Sequence, residues 1–350
     1  MSITTHQRPG VYSAYDASSL IYGSGSGGVV GLVSTHTQVQ GGEAVLVTSR
    51  EQAAAIYGTN HAVTTLAGLA LQNGARAVAC VTVAAVADYE AGFELLCRRE
   101  DVSVMMCNNV SLEVQQKLRD CVHAASASRR ERIAVVAHNK SAGISELVER
   151  AAGLNSERVV LVAPGATDAV GDDLSGLQVA AAVAGAIAAQ TDPAIPLGGA
   201  VLKGVPGLTV SYTDGELDTL ILGGVTAVEQ VGGEVSVVRG VTTRTTTGGE
   251  ADPTWRDLCT ILVIDTVIPA LRAGLRSKFR RAKNTPRGRG AIRAQVVLEL
   301  ENFLAREIIT GYDKVTVTAD EEDPTRALVD FSFTVAHGLN QIWLSAHITV

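Results

Sequence analysis

Apolar residues recur at helical spacing in two stretches near the end of the chain, on either side of a loop rich in Gly and Pro. The spacing predicts two amphipathic helices between Thr254 and Gly311. Thr254 is the expected N-cap of the first helix, Asp257 lies in its first turn, and Pro269 is expected to bend it. The apolar positions are Leu258, Leu262, Ile268, Leu271, Leu275 and Phe279 in the first helix, and Ile292, Val296, Leu300, Phe303, Leu304 and Ile308 in the second. Gly311 is the expected stop, and residues 284–290 are the expected loop between the helices.

The middle of the chain alternates short apolar runs with helical patterns. Such alternation is typical of parallel βαβ units, and continuous apolar runs such as Val159–Ala163 are typical of strands buried on both faces. The expected strands are Val102–Met106, Ile133–Ala137 and Val159–Ala163, and the expected helices are Leu112–Ala127, Ala142–Ala152 and Leu174–Gln190. The sequence therefore predicts an α/β domain here.

The flanking regions show strand patterns separated by Gly-rich turns. Short apolar runs at 29–33, 44–48 and 78–83 predict a β-rich part that also holds two short helices, at 49–57 and 62–72. Alternating apolar residues from 312 to the end predict a β-meander. The expected organisation is an N-terminal arm at 1–19, a β-rich domain at 20–98, the α/β domain at 99–249, a C-terminal α+β domain at 250–340 and a terminal strand at 341–350.

Composition narrows the class of protein. Hydrophobic residues make up 46% of the chain but aromatic residues only 4%, so the cores must be built from Val, Ala, Leu and Ile. Five cysteines without C-x-x-C spacing argue against a disulfide framework and a zinc site. The N-terminus has no apolar signal region, and the run 179–189 is too short to span a bilayer. These features favour a soluble protein of a reducing compartment.

Positive charge is concentrated in the first predicted helix and the following loop. Residues 253–293 contain ten Lys or Arg and two Asp, in a chain whose net charge is −7. Arg272, Arg276 and Arg280 lie four residues apart and therefore share one helix face, which Lys283 extends. The ordinary interpretation is a solvated helix face. The alternative is a surface that binds an acidic partner.

Catalytic motifs are missing from the sequence. It contains no G-x-S-x-G, P-loop or H-E-x-x-H motif, and its seven His have no metal-ligand spacing. Gly23, Gly25 and Gly28 match G-x-G-x-x-G, but a strand pattern follows them where a dinucleotide site needs a helix. We therefore expect no catalytic residue, no cofactor and no metal. Two alternatives stay open: an α/β hydrolase-like enzyme with an oligomerisation domain, and a nucleic-acid-binding protein, which the lack of aromatic residues among the basic ones disfavours.

Several motifs, in this order along the chain, resemble those of the contractile phage tail sheath proteins. They are RPGVY (8–12), VLVTSREQAAAIYG (45–58), LALQNGARAVACVTV (69–83), VVRGVTTRT (237–245) and LRSKFRRAKNTPRGRGAI (275–292). Tyr57 stands where the family usually has Phe, and Arg239 replaces Trp. The resemblance runs nearly from end to end.

The resemblance implies a β-sandwich-like part, a middle α/β domain of subtilisin-like but non-catalytic fold, and a C-terminal α+β assembly domain with terminal arms. It implies a structural subunit that forms hexameric rings around a tail tube and contracts to drive the tube through a target envelope. The implied partners are copies of itself, the tail tube protein, and baseplate and tail terminator proteins, without nucleic acid or membrane insertion. The implied location is a virion tail or phage-tail-like particle assembled in the bacterial host cytoplasm.

Two groups of site residues follow from combining the charge pattern with the resemblance. The expected tube-facing basic residues are Arg272, Arg276, Lys278, Arg280, Arg281 and Lys283. The expected inter-subunit strand residues are Val11, Tyr12, Ile342, Leu344, Ala346, Ile348 and Val350.

Overall fold

A computed structural model describes residues 28–36, 43–167, 172–340 and 343–345. Its largest element is one mixed sheet of eight strands. They are β1 (Val29–Thr35), β2 (Val45–Val47), β3 (Ala77–Val83), β4 (Val102–Cys107), β5 (Ile133–Ala137), β6 (Val159–Ala163), β7 (Val225–Val231) and β8 (Glu234–Val237). Their spatial order is β2-β3-β1-β4-β5-β6-β7-β8. The six inner strands pair in parallel, and the edge strands β2 and β8 are antiparallel to their neighbours.

Helices cover both faces of this sheet. They are α1 (Arg50–Tyr57), α2 (Ala62–Gln72), α3 (Tyr89–Cys97), α4 (Leu112–Ala127), α5 (Ile144–Leu154), α6 (Asp172–Ala189) and α7 (Asp214–Leu222). One core packs α1, α2 and α6 against one face, and a second core packs α3, α4, α5 and α7 against the other. Alternate side chains of β1 enter the two cores: Leu32 faces the first and Val33 the second. The strand pattern is therefore continuously apolar because both faces are buried.

Aromatic residues are scarce in this chain, and small residues let its helices pack closely. A Cβ added to Gly185 of α6 would lie 2.3 Å from the carbonyl oxygen of Ala70 in α2. The two helices can approach this closely only because the side chain is missing there. The Ala-rich run of α6 thus fills the space between α2 and the sheet with small residues.

The C-terminal unit has its own core. A two-stranded ribbon of β9 (Thr246–Thr247) and β10 (Glu250–Ala251) leads into α8 (Leu258–Phe279) and α9 (Pro286–Ala305), followed by the hairpin β11 (Ile309–Ala319) and β12 (Ala327–Val335). Val267 of α8, Leu300 and Phe303 of α9, and Ile309 and Val315 of β11 form this core. The sequence prediction of two helices followed by strands is confirmed for these elements.

Among the described residues, α8 has the length and apolar composition of a membrane-spanning helix. Packing accounts for this composition. Val263 and Val267 are fully buried and Leu271 is nearly so, in contact with the core of α9 and the hairpin. The helix thus contributes apolar residues to two cores, with Leu258 and Ile261 in the first core of the sheet and Val263, Val267 and Leu271 in the C-terminal core.

The structure corrects two sequence predictions about residues 20–98. The expected β-sandwich-like part is wrong for the described residues, because β1 and β3 are inner strands of the large sheet. The two helices expected there are confirmed as α1 and α2. The expected division at 98/99 runs through that sheet, since β1 pairs with β4. Continuous apolar runs in β1 and β3 fit parallel strands with both faces covered better than a sandwich with one exposed face.

Candidate functional site

The helix α8 has core residues on one side and basic residues on the other. It begins after Asp257, whose backbone is extended, and continues through Pro269 to Phe279. The prediction that Thr254 caps this helix is wrong. The backbone N–H of Thr254 donates to Asp252 Oδ1 at 2.9 Å, which holds that residue in the preceding turn.

The loop between the helices is shorter than predicted. Pro286 is the first residue of α9, where its missing N–H costs nothing, and the Thr285 hydroxyl accepts the N–H of Gly288 at 3.1 Å as an N-cap. Residues 286–290 thus belong to the helix. The helix ends at Ala305, and Gly311, the expected stop, lies within β11.

The predicted basic residues line the last turns of α8 and the loop that follows it. The exposed members of the set are Arg276, Lys278, Arg280, Arg281 and Lys283. Lys278 Nζ donates to Gln295 Oε1 of α9 at 2.6 Å. Among the described residues, Arg276, Arg280, Arg281 and Lys283 have no acidic partner within ion-pair distance. Their charge is therefore not neutralised within the described part of the subunit.

Arg272 differs from the rest of the basic set. Its guanidinium forms an ion pair with Glu131, the second residue before β5, and the Glu131 side chain is only 15% exposed. Arg272 thus contacts the α/β part of the same subunit. Helical spacing correctly placed it on the basic side of α8, but only the fold reveals the carboxylate that faces it.

Two further ion pairs join α8 and its N-cap to the rest of the fold. Both Nη atoms of Arg158, directly before β6, donate to Asp265 of α8 at 2.7 and 2.9 Å. Arg239 Nη2 lies 2.7 Å from Asp257 Oδ1. Burial raises the pKa of Asp265, although its hydrogen bonds to Arg158 act in the opposite direction. No sequence pattern linked these residues, because their separations along the chain are large.

Within the described residues, no third strand pairs with either edge of the C-terminal hairpin. Phe331 and Phe333 of β12 turn toward the helices α8 and α9, and in the described residues β11 and β12 pair only with each other. Trp343 and Leu344, which follow it, are 90% and 92% exposed. The other predicted inter-subunit residues lie outside the described residues: Val11, Tyr12, Ile342, Ala346, Ile348 and Val350.

One cluster of a His, a Ser and a Glu side chain resembles the catalytic His, Ser and carboxylate of a hydrolase. His123 Nε2 lies 2.8 Å from Ser156 Oγ, and its Nδ1 lies 3.8 Å from Glu157 Oε1. Ser156 is only 1% exposed, however, and its hydroxyl also accepts the N–H of Arg158. A substrate cannot reach such a hydroxyl, so the group holds α4 against the loop before β6.

A second histidine, His138, lies at the carboxyl end of β5. Its Nε2 accepts a hydrogen bond from Arg150 Nη2 at 2.9 Å, and its Nδ1 lies 2.9 Å from the backbone nitrogen and 3.1 Å from Oδ1 of Asn139. Burial and the Arg150 charge lower the pKa of His138, so it is neutral at pH 7. Among the described residues, no group of three or more His, Cys, Asp or Glu is arranged to hold a metal ion.

Comparison with known families gives matches over most of the chain. Residues 82–243 match the phage tail sheath protein central domain, and residues 250–349 match the phage tail sheath C-terminal domain. The comparison with curated protein sequences finds no match.

Solved structures of similar fold match nearly the full length of this chain. The helical sheath of the anti-feeding prophage in its contracted state matches with a TM-score of 0.72 and 16% identity, covering 98% of this chain and 99% of that one. A chain of the same prophage's baseplate matches with a TM-score of 0.70 and 14% identity, covering 99% of this chain and 100% of that one. The sheath tail protein of Desulfitobacterium hafniense matches with a TM-score of 0.66 and 13% identity, covering 93% of this chain and 100% of that one. At these identities, the likeness establishes the fold.

Proposed function

Because the chain belongs to the phage tail sheath protein family, we propose that it is the repeating subunit of a contractile sheath. In this proposal, copies assemble as hexameric rings that stack helically around a tail tube. The assembled sheath contracts and drives the tube through a target envelope. The observation that carries the proposal is the full-length likeness to a helical sheath in its contracted state.

Family membership also identifies the class of protein: it is a structural component of a phage tail or phage-tail-like particle and not an enzyme. We propose baseplate, tail terminator and tube proteins as its partners, assembly in the bacterial host cytoplasm, and no role for nucleic acid or membrane insertion. The eight-stranded sheet would correspond to the middle domain of subtilisin-like fold, with residues 250–340 as the assembly domain.

The basic surface is the proposed contact with the tube. Its free charges are on Arg276, Arg280, Arg281 and Lys283, with Lys278 beside them. Exposed ion pairs contribute only about 0–1 kcal/mol each, so the contact would depend on many weak pairs repeated along the tube. Such a contact also releases readily when the sheath contracts. Arg272 would contribute less directly, since it already pairs with Glu131.

The open edges of the β11–β12 hairpin are the proposed site of subunit exchange. An unpaired edge presents N–H and C=O groups that another strand can satisfy. We propose that residues 341–350 of one neighbour, and Val11 and Tyr12 of another, add strands to this hairpin. The exposure of Trp343 and Leu344 supports this, because burying large apolar side chains under a neighbouring subunit is favourable.

Negative-stain microscopy of the purified full chain tests the proposal. A sheath subunit is expected to polymerise into long hollow tubes of constant diameter as concentration rises. A protein of the hydrolase-like alternative would form monomers or small closed oligomers at every concentration, and that result would reject the proposed function.

A further inference from the structure

Two cysteines lie next to each other on neighbouring helices, and the proposed sheath function does not use them. Cys97 is the last residue of α3, and Cys121 lies within α4. The Cys97 thiol donates a hydrogen bond to the carbonyl oxygen of Cys121 at 3.7 Å, so the Cys97 side chain lies directly against Cys121. A bond between their sulfur atoms would therefore join two helices that already pack together.

These two residues are also the most exposed of the five cysteines. Cys97 and Cys121 are both partly exposed, whereas Cys80, Cys107 and Cys259 are buried. Accessibility and thiolate character together decide which cysteine of a protein reacts with an oxidant. The structure thus separates one accessible pair from three enclosed thiols.

Two guanidinium groups lie around the carboxyl end of α3. The buried Arg132 side chain donates to the carbonyl oxygens of Leu96 at 3.0 Å and Arg99 at 2.9 Å. Arg130 Nη1 donates to the carbonyl oxygen of Cys97 itself at 3.3 Å. The carboxyl end of a helix normally disfavours an anion, and these two positive charges oppose that effect.

The two thiols consequently differ in character. The hydrogen bond from Cys121 lowers the pKa of the Cys97 thiol, against the effect of burial and with help from both guanidinium groups. The same hydrogen bond and burial raise the pKa of Cys121. Burial raises the pKa of Cys80 and Cys107 to about 12, and of Cys259 to about 11. Cys97 is therefore the nucleophile of the set.

We propose that Cys97 and Cys121 form a redox modification site that a small-molecule disulfide of the glutathione class oxidises to an intramolecular disulfide. The Cys97 thiolate attacks one sulfur of the reagent, whose disulfide bond breaks and releases one glutathione thiolate. Cys121 then loses its proton and attacks Cys97 Sγ, which releases the second glutathione. Two protein thiols lose two electrons and two protons in total, and one small disulfide becomes two small thiols.

The resulting bond would tie α3 to α4 across the segment that contains β4. A cross-link that closes a loop restricts the unfolded chain more than the folded one, so the oxidised subunit should be more resistant to heat. In a reducing cytosol both thiols would stay reduced. The disulfide would form after the subunit is transferred to an oxidising medium.

Peptide mapping of the full-length protein tests the site. The protein is incubated with glutathione disulfide, alkylated, digested without reductant and analysed by mass spectrometry. We expect a Cys97–Cys121 linked peptide, three alkylated cysteines and a higher midpoint of thermal unfolding that dithiothreitol reverses. The Cys121→Ser variant should retain one glutathione on Cys97, and Cys97→Ser should leave Cys121 unmodified. The matched control Cys259→Ser should form the disulfide at the wild-type rate.

Three results would overturn the proposal. They are the absence of the linked peptide in the wild-type protein, first modification at Cys80, Cys107 or Cys259, and failure of folded Cys121→Ser to accept glutathione. If either variant of the pair does not fold, the wild-type peptide map decides alone, because it requires no substitution.

Discussion

Arg158 and Asp265 are joined by two hydrogen bonds of 2.7 and 2.9 Å, although 107 residues separate them along the chain. Their side chains are 11% and 13% exposed. The pair links the strand β6 of the large sheet to the helix α8 that carries the basic surface. The position of that surface therefore depends on a contact that lies well inside the subunit.

Replacing Asp265 by Asn is expected to destabilise the subunit by about 3 kcal/mol, because it leaves the buried Arg158 guanidinium without its counter-charge. Urea unfolding followed by circular dichroism measures the change. Glu94→Gln is the control, since Glu94 pairs with Arg98 at 3.9 Å on the surface and its loss should cost less than about 1 kcal/mol. Equal effects of the two substitutions would show that the buried pair does not anchor α8.

Reversing the charge of Arg276 and Arg280 together should leave the subunit folded but weaken its assembly on the tube. Both side chains are exposed and, in the described residues, lack an acidic partner, so their loss removes no internal contact. Co-sedimentation with the tube protein at rising salt measures the binding. Charge reversal of Arg50 and Lys203, two exposed cations elsewhere, is the matched control for net charge. Unchanged tube binding by the Arg276/Arg280 variant would remove these residues from the proposed contact.

Reversal of Arg272 is expected to act differently. Arg272→Glu would place two carboxylates against each other and should destabilise the subunit by about 1–2 kcal/mol, and a second change, Glu131→Arg, should restore part of the loss. A double-mutant cycle measured by urea unfolding checks this. If the single variant is as stable as the wild type, the ion pair does not form, and Arg272 is then grouped with the unpaired basic residues of α8.

Gly185→Ala is expected to destabilise the protein strongly, by about 2 kcal/mol or more, although Ala is the better helix former. The new methyl group would lie 2.3 Å from the Ala70 carbonyl oxygen, a backbone atom that cannot move without separating α2 from α6. Gly290→Ala in α9 is the control, because a Cβ there meets nothing within 4 Å and should stabilise by about 0.5–1 kcal/mol. Thermal unfolding of both variants compares them, and similar midpoints would contradict the close packing of α2 and α6.

The sequence was sufficient to predict several elements of the α/β part. Ile133–Ala137 and Val159–Ala163 are strands with the predicted bounds, and Leu112–Ala127 is a helix with the predicted bounds. The two strands are buried along their full length, and the helix buries Val114, Leu118 and Val122 on one face, so all three have a clear apolar periodicity. The helices α3 and α7 and the strand β7 were missed, since their patterns are short or interrupted by polar residues.

Contacts between distant residues could not be predicted in the same way. Helical spacing was enough to predict the basic side of α8. Only the tertiary fold places Glu131 and Arg158 beside this helix. The β-rich prediction for residues 20–98 failed because strand periodicity does not tell which strands share a sheet. The predicted terminal strand at 341–350 remains a prediction, since most of it lies outside the described residues.

Stability is expected to fall as the pH is lowered below about 6.5, in part because of His138. Its pKa is lowered in the folded state, so the unfolded chain binds a proton first, and the loss continues until the pH passes the folded pKa. One such histidine contributes at most about 1.4 kcal/mol per pH unit. His138→Gln keeps an acceptor for Arg150 and should reduce the slope of stability against pH. An unchanged slope between pH 6.5 and 5 would show that His138 protonates equally well in both states.

The most direct test of the sheath assignment compares the full chain with a variant lacking residues 341–350, using negative-stain microscopy and circular dichroism on the same preparations. The full chain is expected to form long tubes, and the truncated chain is expected to keep its helical spectrum while forming none, because the neighbouring hairpin lacks its added strand. Tubes formed by the truncated chain, or its complete unfolding, would place the strand within its own subunit. Small closed oligomers of the full chain would contradict the sheath function itself.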